Sequence, residues 1–166
     1  KKTITGNELL HEVYESHVKP TKFFRGAFLR TKIIFWREIA KTFFEFLGIP
    51  ENEYYDIDKF DFDKPSILHN LEDKIEDRFD GFFNFILDMG TTEHVFDIKS
   101  VMDNIVHMAK IGGYVLQILP AQNYLNHGFY QFSPTFFYDF YTANGFEIVE
   151  SHMIEIRGAS QRFHAY

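Results

Sequence analysis

Phe82-Phe-Asn-Phe-Ile-Leu-Asp88 is a nearly continuous apolar run that ends in an acid. Apolar residues at successive positions, rather than at every second one, describe a strand covered on both faces, the usual condition of a strand in a parallel sheet. Downstream, Asp97 supplies a helix N-cap, and Val101, Met102, Ile105, Val106 and Met108 recur behind it at core spacing. Gly112-Gly113 reads as the end of that helix, and Tyr114-Val-Leu-Gln-Ile-Leu119 as a second apolar strand. Strand, helix and strand in that order form a β-α-β unit, whose strands run parallel because the helix returns the chain to its starting end. The fold class expected is α/β.

Outward from this unit the pattern continues on both sides. After a loop from Pro120 to Phe132, Ser133-Pro134 supplies an N-cap followed by proline at the first helical position, and Asn144-Gly145 closes that helix. Phe146 to Ile156 and Gln161 to Tyr166 read as two strands paired antiparallel around Gly158. Upstream, Glu53-Tyr-Tyr-Asp-Ile-Asp58 and Ser66-Ile-Leu-His69 read as short strands flanking an acidic loop, and Leu71 to Asp80 as a solvated turn. A helix is expected over Thr31 to Leu47, lying against the sheet, with Trp36, Ile39, Ala40, Phe43, Phe44 and Leu47 on one face and Gly48 and Pro50 ending it. An earlier helix carries Leu9, Leu10, Val13, Tyr14 and His17, and Pro20 stops it. No repeat, low-complexity tract or linker interrupts the chain, so one domain is expected over 1–166, with a helical part at 1–48 and a sheet core at 49–166.

Composition excludes several classes of function. A formal charge of −7 repels phosphate backbones and anionic lipid. The basic cluster Lys19 to Lys32 is short and interleaved with Phe23, Phe24 and Phe28, as on a solvated helix face, so neither nucleic acid nor membrane is expected as a partner. No apolar run approaches the roughly 18 to 20 residues that span a bilayer, and Lys1-Lys2-Thr3 lacks the apolar core of a signal peptide. A cytoplasmic protein is expected, and whether native residues precede Lys1 is not legible. The absence of cysteine excludes disulfides, thiolate zinc sites and a cysteine nucleophile. The oligomeric state is not legible.

In an open parallel sheet, ligands sit beyond the carboxyl ends of the strands. Three segments fall there: Asp56-Ile-Asp58, Asp88-Met-Gly-Thr-Thr-Glu-His94 and Pro120-Ala-Gln-Asn-Tyr-Leu-Asn-His-Gly128. Asp56 and Asp58 can equally be turn acids, and Gly90 can simply permit a tight turn.

From Asp88 to Gly113 the sequence resembles the class I S-adenosylmethionine-dependent methyltransferases. The motifs that carry the likeness are Asp88-Met-Gly-Thr-Thr-Glu93-His94-Val95 after a strand and Lys110-Ile-Gly112-Gly113 before the next. A bacterial branch of that superfamily is matched by Asn126-His127-Gly128-Phe-Tyr130-Gln-Phe132-Ser-Pro134 and Asn144-Gly145-Phe146-Glu147, and more loosely by Tyr55-Asp56-Ile57-Asp58 and His69-Asn70-Leu71-Glu72. The resemblance implies a three-layer, Rossmann-like sandwich with a mostly parallel sheet and an antiparallel end, compact or truncated at its N-terminal unit. It implies S-adenosylmethionine as cofactor and methyl transfer to oxygen or nitrogen of a small acceptor, such as a sugar or nucleotide-linked metabolite.

Carried over by residue, Asp56 would accept bonds from the ribose hydroxyls, a task suited to a carboxylate's four acceptor sites. Asn70 would meet the adenine amino group and the backbone of Leu71 the ring. Asp88 and Met89 would border the methionine part. Glu93, Asn123, Asn126 and Tyr130 would recognise the acceptor. The Gly-x-Gly loop that usually follows the first strand of these enzymes occurs nowhere in the chain. A non-catalytic binding or scaffolding relative is the alternative.

Methyl transfer also needs a proton acceptor, and histidine suits this near neutral pH. His11, His17, His107 and His152 have no convergent partner, and His69 and His164 have no evident role. His94 and His127 are the catalytic candidates, on two loops flanking one sheet opening, although His94 can equally cap or pack. Some superfamily members use a Glu-His pair at the Glu93-His94 position to help hold Mg²⁺. Two ligands do not make a site, and no metal is assigned.

Overall fold

The computed structural model describes residues 36–62, 64–157 and 160–165. The expected first helix, the basic cluster and Gly158 lie outside them. The described residues divide into two compact units, the first taking 36–56 and those between Asp61 and Ile67, the second Ile57–Phe60 and those from Leu68 on.

In the first unit, helix α1 covers Trp36–Phe46. Gly48 adopts φ 86°, and the amides of Gly48 and Ile49 turn back onto the carbonyls of Glu45 and Phe44 at 2.9 Å. A left-handed residue at this position costs glycine least, so the expected stop is made. Phe44 is buried and stacks obliquely on Tyr54 at 5.3 Å, while Phe43 and Leu47 stay about half exposed. Within its unit α1 touches the short turn Glu51–Glu53, where Lys41 pairs with Glu51 at 2.7 Å.

Strands β1 (Ile57–Asp58) and β2 (Ile67–Leu68) form a two-stranded sheet much shorter than the expected segments. The Ile67 amide donates to the Asp56 carbonyl at 3.0 Å and that of His69 to Asp58 at 2.8 Å. Partner numbers rise together along both segments, the pattern of parallel strands.

The second unit contains the β-α-β motif. Strand β3 (Phe83–Met89) leads through helix α2 (Ile98–Met108) to strand β4 (Ala109–Ile118), and β3 and β4 pair in parallel with Ile86 opposite Val115 and Asp88 opposite Gln117. Asp97 caps α2 as expected, accepting from the Ser100 amide at 3.2 Å and its hydroxyl at 2.7 Å. These bonds hold the Asp97 carboxyl below its ordinary value, the side-chain bond contributing most.

Two details depart from the sequence reading. Gly112-Gly113 does not end the helix, which stops at Met108 and passes directly into β4. The glycines lie inside the strand where the register shifts, and a Cβ on Gly113 would stand 2.8 Å from the Asn84 carbonyl oxygen. Nor is β3 covered on both faces: Ile86 packs on the helical core, whereas Phe85 and Met89, on the opposite face of the strand, are 39% and 62% exposed.

Helix α3 (Pro134–Ala143) follows Ser133, which takes the extended N-cap conformation, and strands β5 (His152–Arg157) and β6 (Ser160–Ala165) pair antiparallel as expected, although β5 begins six residues later than the strand read from Phe146. The described residues thus form a mixed α/β architecture of three helices and three two-stranded sheets.

The core joins α2 to α3. Val101, Met102, Ile105 and Tyr141 are buried together, with Leu71, Ile86, Val115, Phe137 and Phe146 packed against them. Val101, Met102 and Ile105, being buried, each contribute about 1.5–3 kcal/mol by leaving water, and the partly buried side chains less. The segment read as a solvated turn, 71–80, exposes its charges but buries Ile75 and Phe79. Buried Asn104 fixes it, accepting from the Ile75 amide at 3.0 Å and donating to the carbonyls of Leu71 at 3.0 Å and Asp73 at 2.8 Å. No helix among the described residues is long and apolar enough to cross a membrane.

Candidate functional site

At the carboxyl end of β3, Asp88 turns inward, 7% exposed. One carboxylate oxygen accepts from the amides of Thr91 at 3.1 Å and Thr92 at 3.4 Å, and the other from the Thr92 hydroxyl and from Gln117 Nε2 at 3.0 Å. Gln117 in turn accepts from the Tyr141 hydroxyl at 2.7 Å. Burial, and then the nearby charge of Asp88, push the Tyr141 phenol above its ordinary value, so it remains a donor. The Asp88 carboxylate is therefore saturated by the protein itself. A lone Gln in an apolar strand, facing a lone Asp in register, was the sequence signal for this network. Met89, by contrast, points out, 62% exposed.

The turn that Asp88 pins delivers Glu93. A short helical turn, Thr92–His94, carries Glu93 inward to 1% exposure, while the His94 side chain stays 49% exposed. The loop after β4 brings His127 to the same place, with Nε2 of His127 3.3 Å and Nε2 of His94 3.8 Å from Glu93 Oε1. The two imidazoles meet edge to face, centroids 4.8 Å apart, and Tyr124 packs on His127 at 5.4 Å. His94 and His127 thus share one site, as their positions on neighbouring loops implied.

Backbone contacts hold this convergence. The Glu93 carbonyl accepts from the amides of Phe129 at 2.6 Å and Tyr130 at 3.3 Å. Gly128, at φ +70°, lies so close that a Cβ there would stand 2.6 Å from the Glu93 carbonyl oxygen. Gly90, at φ +86°, approaches the Glu93 carboxylate from the other side, where a Cβ would sit 3.3 Å from Oε1. Sequence reading assigned Gly128 no role of its own, although glycine directly after a candidate histidine is the residue that lets two backbones approach.

Of the proposed acceptor residues, Glu93 alone faces the histidines. Asn123 and Asn126 are exposed and adopt left-handed backbone at φ 64° and 59°, which shapes the loop. The Tyr130 hydroxyl donates to the Phe96 carbonyl at 2.7 Å. Among the proposed cofactor residues, Asp56 Oδ1 accepts from the Ser66 amide at 2.9 Å and hydroxyl at 2.6 Å, both within the first unit. Asn70 closes a local turn by accepting from the Glu72 amide at 3.3 Å, and Leu71 packs on the core.

Chemically, a buried carboxylate beside two accessible imidazoles can position a proton acceptor or present an O, N, N donor set. The donor atoms of Glu93, His94 and His127 lie within 4.8 Å of one another. Comparison with known protein families, curated proteins and solved structures returns no match.

Proposed function

We propose that the chain transfers a methyl group from S-adenosylmethionine to an oxygen or nitrogen of a small acceptor. The observation that carries this reading is the position of the Glu93-His94-His127 cluster, directly after the carboxyl end of β3 in a parallel β-α-β unit, where sheets of this kind bind ligands. The strand directions agree with a Rossmann-like sandwich, two parallel pairs preceding an antiparallel one.

In this reading the cofactor, when bound, supplies an electrophilic methyl on a sulfonium, and the chain orients the acceptor and takes its proton. His127 Nε2–H donates to Glu93 Oε1, which leaves Nδ1 as the basic nitrogen. His127 Nδ1 would take the proton that the acceptor's oxygen or nitrogen gives up, while the bound cofactor would supply the methyl carbon and keep the C–S electron pair. Asp56, in the first unit, would accept from the ribose diol through a carboxylate that already takes two bonds from Ser66. In the second unit Asn70 and Leu71 would meet the adenine, Asp88 and Met89 would border the methionine part, and Asn123, Asn126 and Tyr130 would line the acceptor side.

Calorimetric titration with S-adenosylmethionine and S-adenosylhomocysteine tests this. Binding of either, weakened by about 1.5–3 kcal/mol in Asp56→Ala, supports it; no binding of either overturns it. His127→Ala should then lower turnover by roughly 10² to 10⁴ with cofactor affinity retained. A second reading, a binding domain without catalysis, is favoured by the engagement of Asp56 with Ser66 and by the absence of Gly-x-Gly.

A further inference from the structure

We infer that Glu93, His94 and His127 form a site for one divalent first-row transition-metal ion of the zinc class. Two observations converge. The donors are one carboxylate and two imidazoles, the His₂Glu set of catalytic zinc sites, and imidazole favours zinc, iron or nickel over magnesium or calcium. Independently, Glu93 is 1% exposed, yet its Oε2 is buried with no hydrogen-bond partner among the described residues. A buried carboxylate left partly unsatisfied costs stability, and a cation beside it removes that cost.

The geometry is close to what an ion requires. Tetrahedral ligands at about 2.0–2.1 Å stand roughly 3.3–3.4 Å from each other. Glu93 Oε1 and His127 Nε2 are already 3.3 Å apart, and His94 Nε2 is 3.8 Å from the same oxygen. The remaining closure falls to the two imidazoles, whose side chains are 49% and 45% exposed and have room to turn. Glu93 is the fixed member, its side chain buried and its backbone carbonyl held by the amides of Phe129 and Tyr130. Three protein ligands with two exposed rings leave a coordination position for water or for an acceptor hydroxyl, whose proton the ion would make more acidic.

This site does not rest on the methyl-transfer reading and alters one part of it. Once His127 Nε2 binds a metal, Nδ1 carries the proton and cannot receive another. With an ion bound, the cluster would instead make the acceptor's hydroxyl more acidic, and its proton would pass to solvent water rather than to His127.

The test uses the full chain, stripped with chelator and titrated calorimetrically with zinc chloride and, separately, magnesium chloride, with bound zinc counted after dialysis. The expected result is one zinc per chain, much weaker magnesium binding, and zinc affinity lowered about tenfold or more in each of His94→Ala, His127→Ala and Glu93→Gln. His152→Ala, which removes an exposed histidine paired with Glu150, should bind zinc as the parent does. Both cluster histidines are exposed, so their variants should melt as the parent does without metal, and zinc should raise the melting temperature of the parent and of His152→Ala but not of the cluster variants. Absence of zinc binding, or binding unchanged in His94→Ala and His127→Ala, overturns the site. Titration of the metal-free chain with S-adenosylmethionine reads the cofactor separately, so each proposal fails on its own measurement.

Discussion

Asp88 and Glu93 are buried carboxylates on the same turn, yet the chain treats them in opposite ways. Asp88 accepts from two amides, a hydroxyl and a side-chain amide, so its charge is compensated by groups that folding itself brings. Glu93 is buried more deeply, but one oxygen faces two exposed imidazoles and the other has no hydrogen-bond partner among the described residues. The first carboxylate serves the fold. The second is held in place by the fold and left partly unsatisfied, the condition expected of a group kept for a ligand.

The comparison breaks most readily at Asp88. Asp88→Ala removes a charged acceptor from several donors at once, and a loss of about 3 kcal/mol or more is expected in urea unfolding. A small change would mean that water compensates those donors. Next is Gly128→Ala, which places a Cβ 2.6 Å from the Glu93 carbonyl oxygen at a backbone φ of +70°. A loss of about 1–3 kcal/mol is expected, together with lost zinc binding; a variant that keeps both shows that the close approach is dispensable.

Tyr141→Phe strands the Gln117 acceptor, at an expected cost of about 1 kcal/mol. It also carries a pH signature. The Tyr141 phenol is raised above its ordinary 10.0, so its contribution is complete below pH 10 and falls as pH rises further. A parent protein that loses stability above that pH and a Phe variant that lacks this slope would agree; parallel alkaline profiles would not. The smallest effect is expected for Glu93→Gln, which keeps the shape and removes the charge. Its unfolding free energy should change by less than about 1 kcal/mol, since the carboxylate is poorly compensated to begin with. A loss comparable to that of Asp88→Ala would erase the distinction between the two acids.

The β-α-β unit was legible because its signals are local and redundant: an apolar run ending at Asp88, a cap at Asp97, core residues from Val101 to Met108. Ser133-Pro134 marked α3 for the same reason. What escaped depends on contacts between distant residues. Gly112-Gly113 resembles a helix terminator, yet Gly113 lies within β4 and lets it approach the Asn84 carbonyl. Ile75 and Phe79 disappear among charges when the stretch is read alone, since their burial is decided by α2. At the candidate site, the meeting of His94 and His127 followed from loop placement, whereas the deep burial of Glu93 depends on Gly128 and could not be read from its neighbours. The hold of Ser66 on Asp56 was hidden for a similar reason, its partner lying across an acidic loop.

Asn104 gives the irregular segment before β3 an unusual kinetic character. The Ile75 amide lies outside every helix and strand, yet its acceptor is a side chain buried in α2. Solvent can reach that amide only when the segment peels away from the helix, which also releases the carbonyls of Leu71 and Asp73. In hydrogen exchange it should therefore behave as part of the α2 foldon, slow and sensitive to Asn104→Ala, while its charged neighbours exchange at the rates of an ordinary loop.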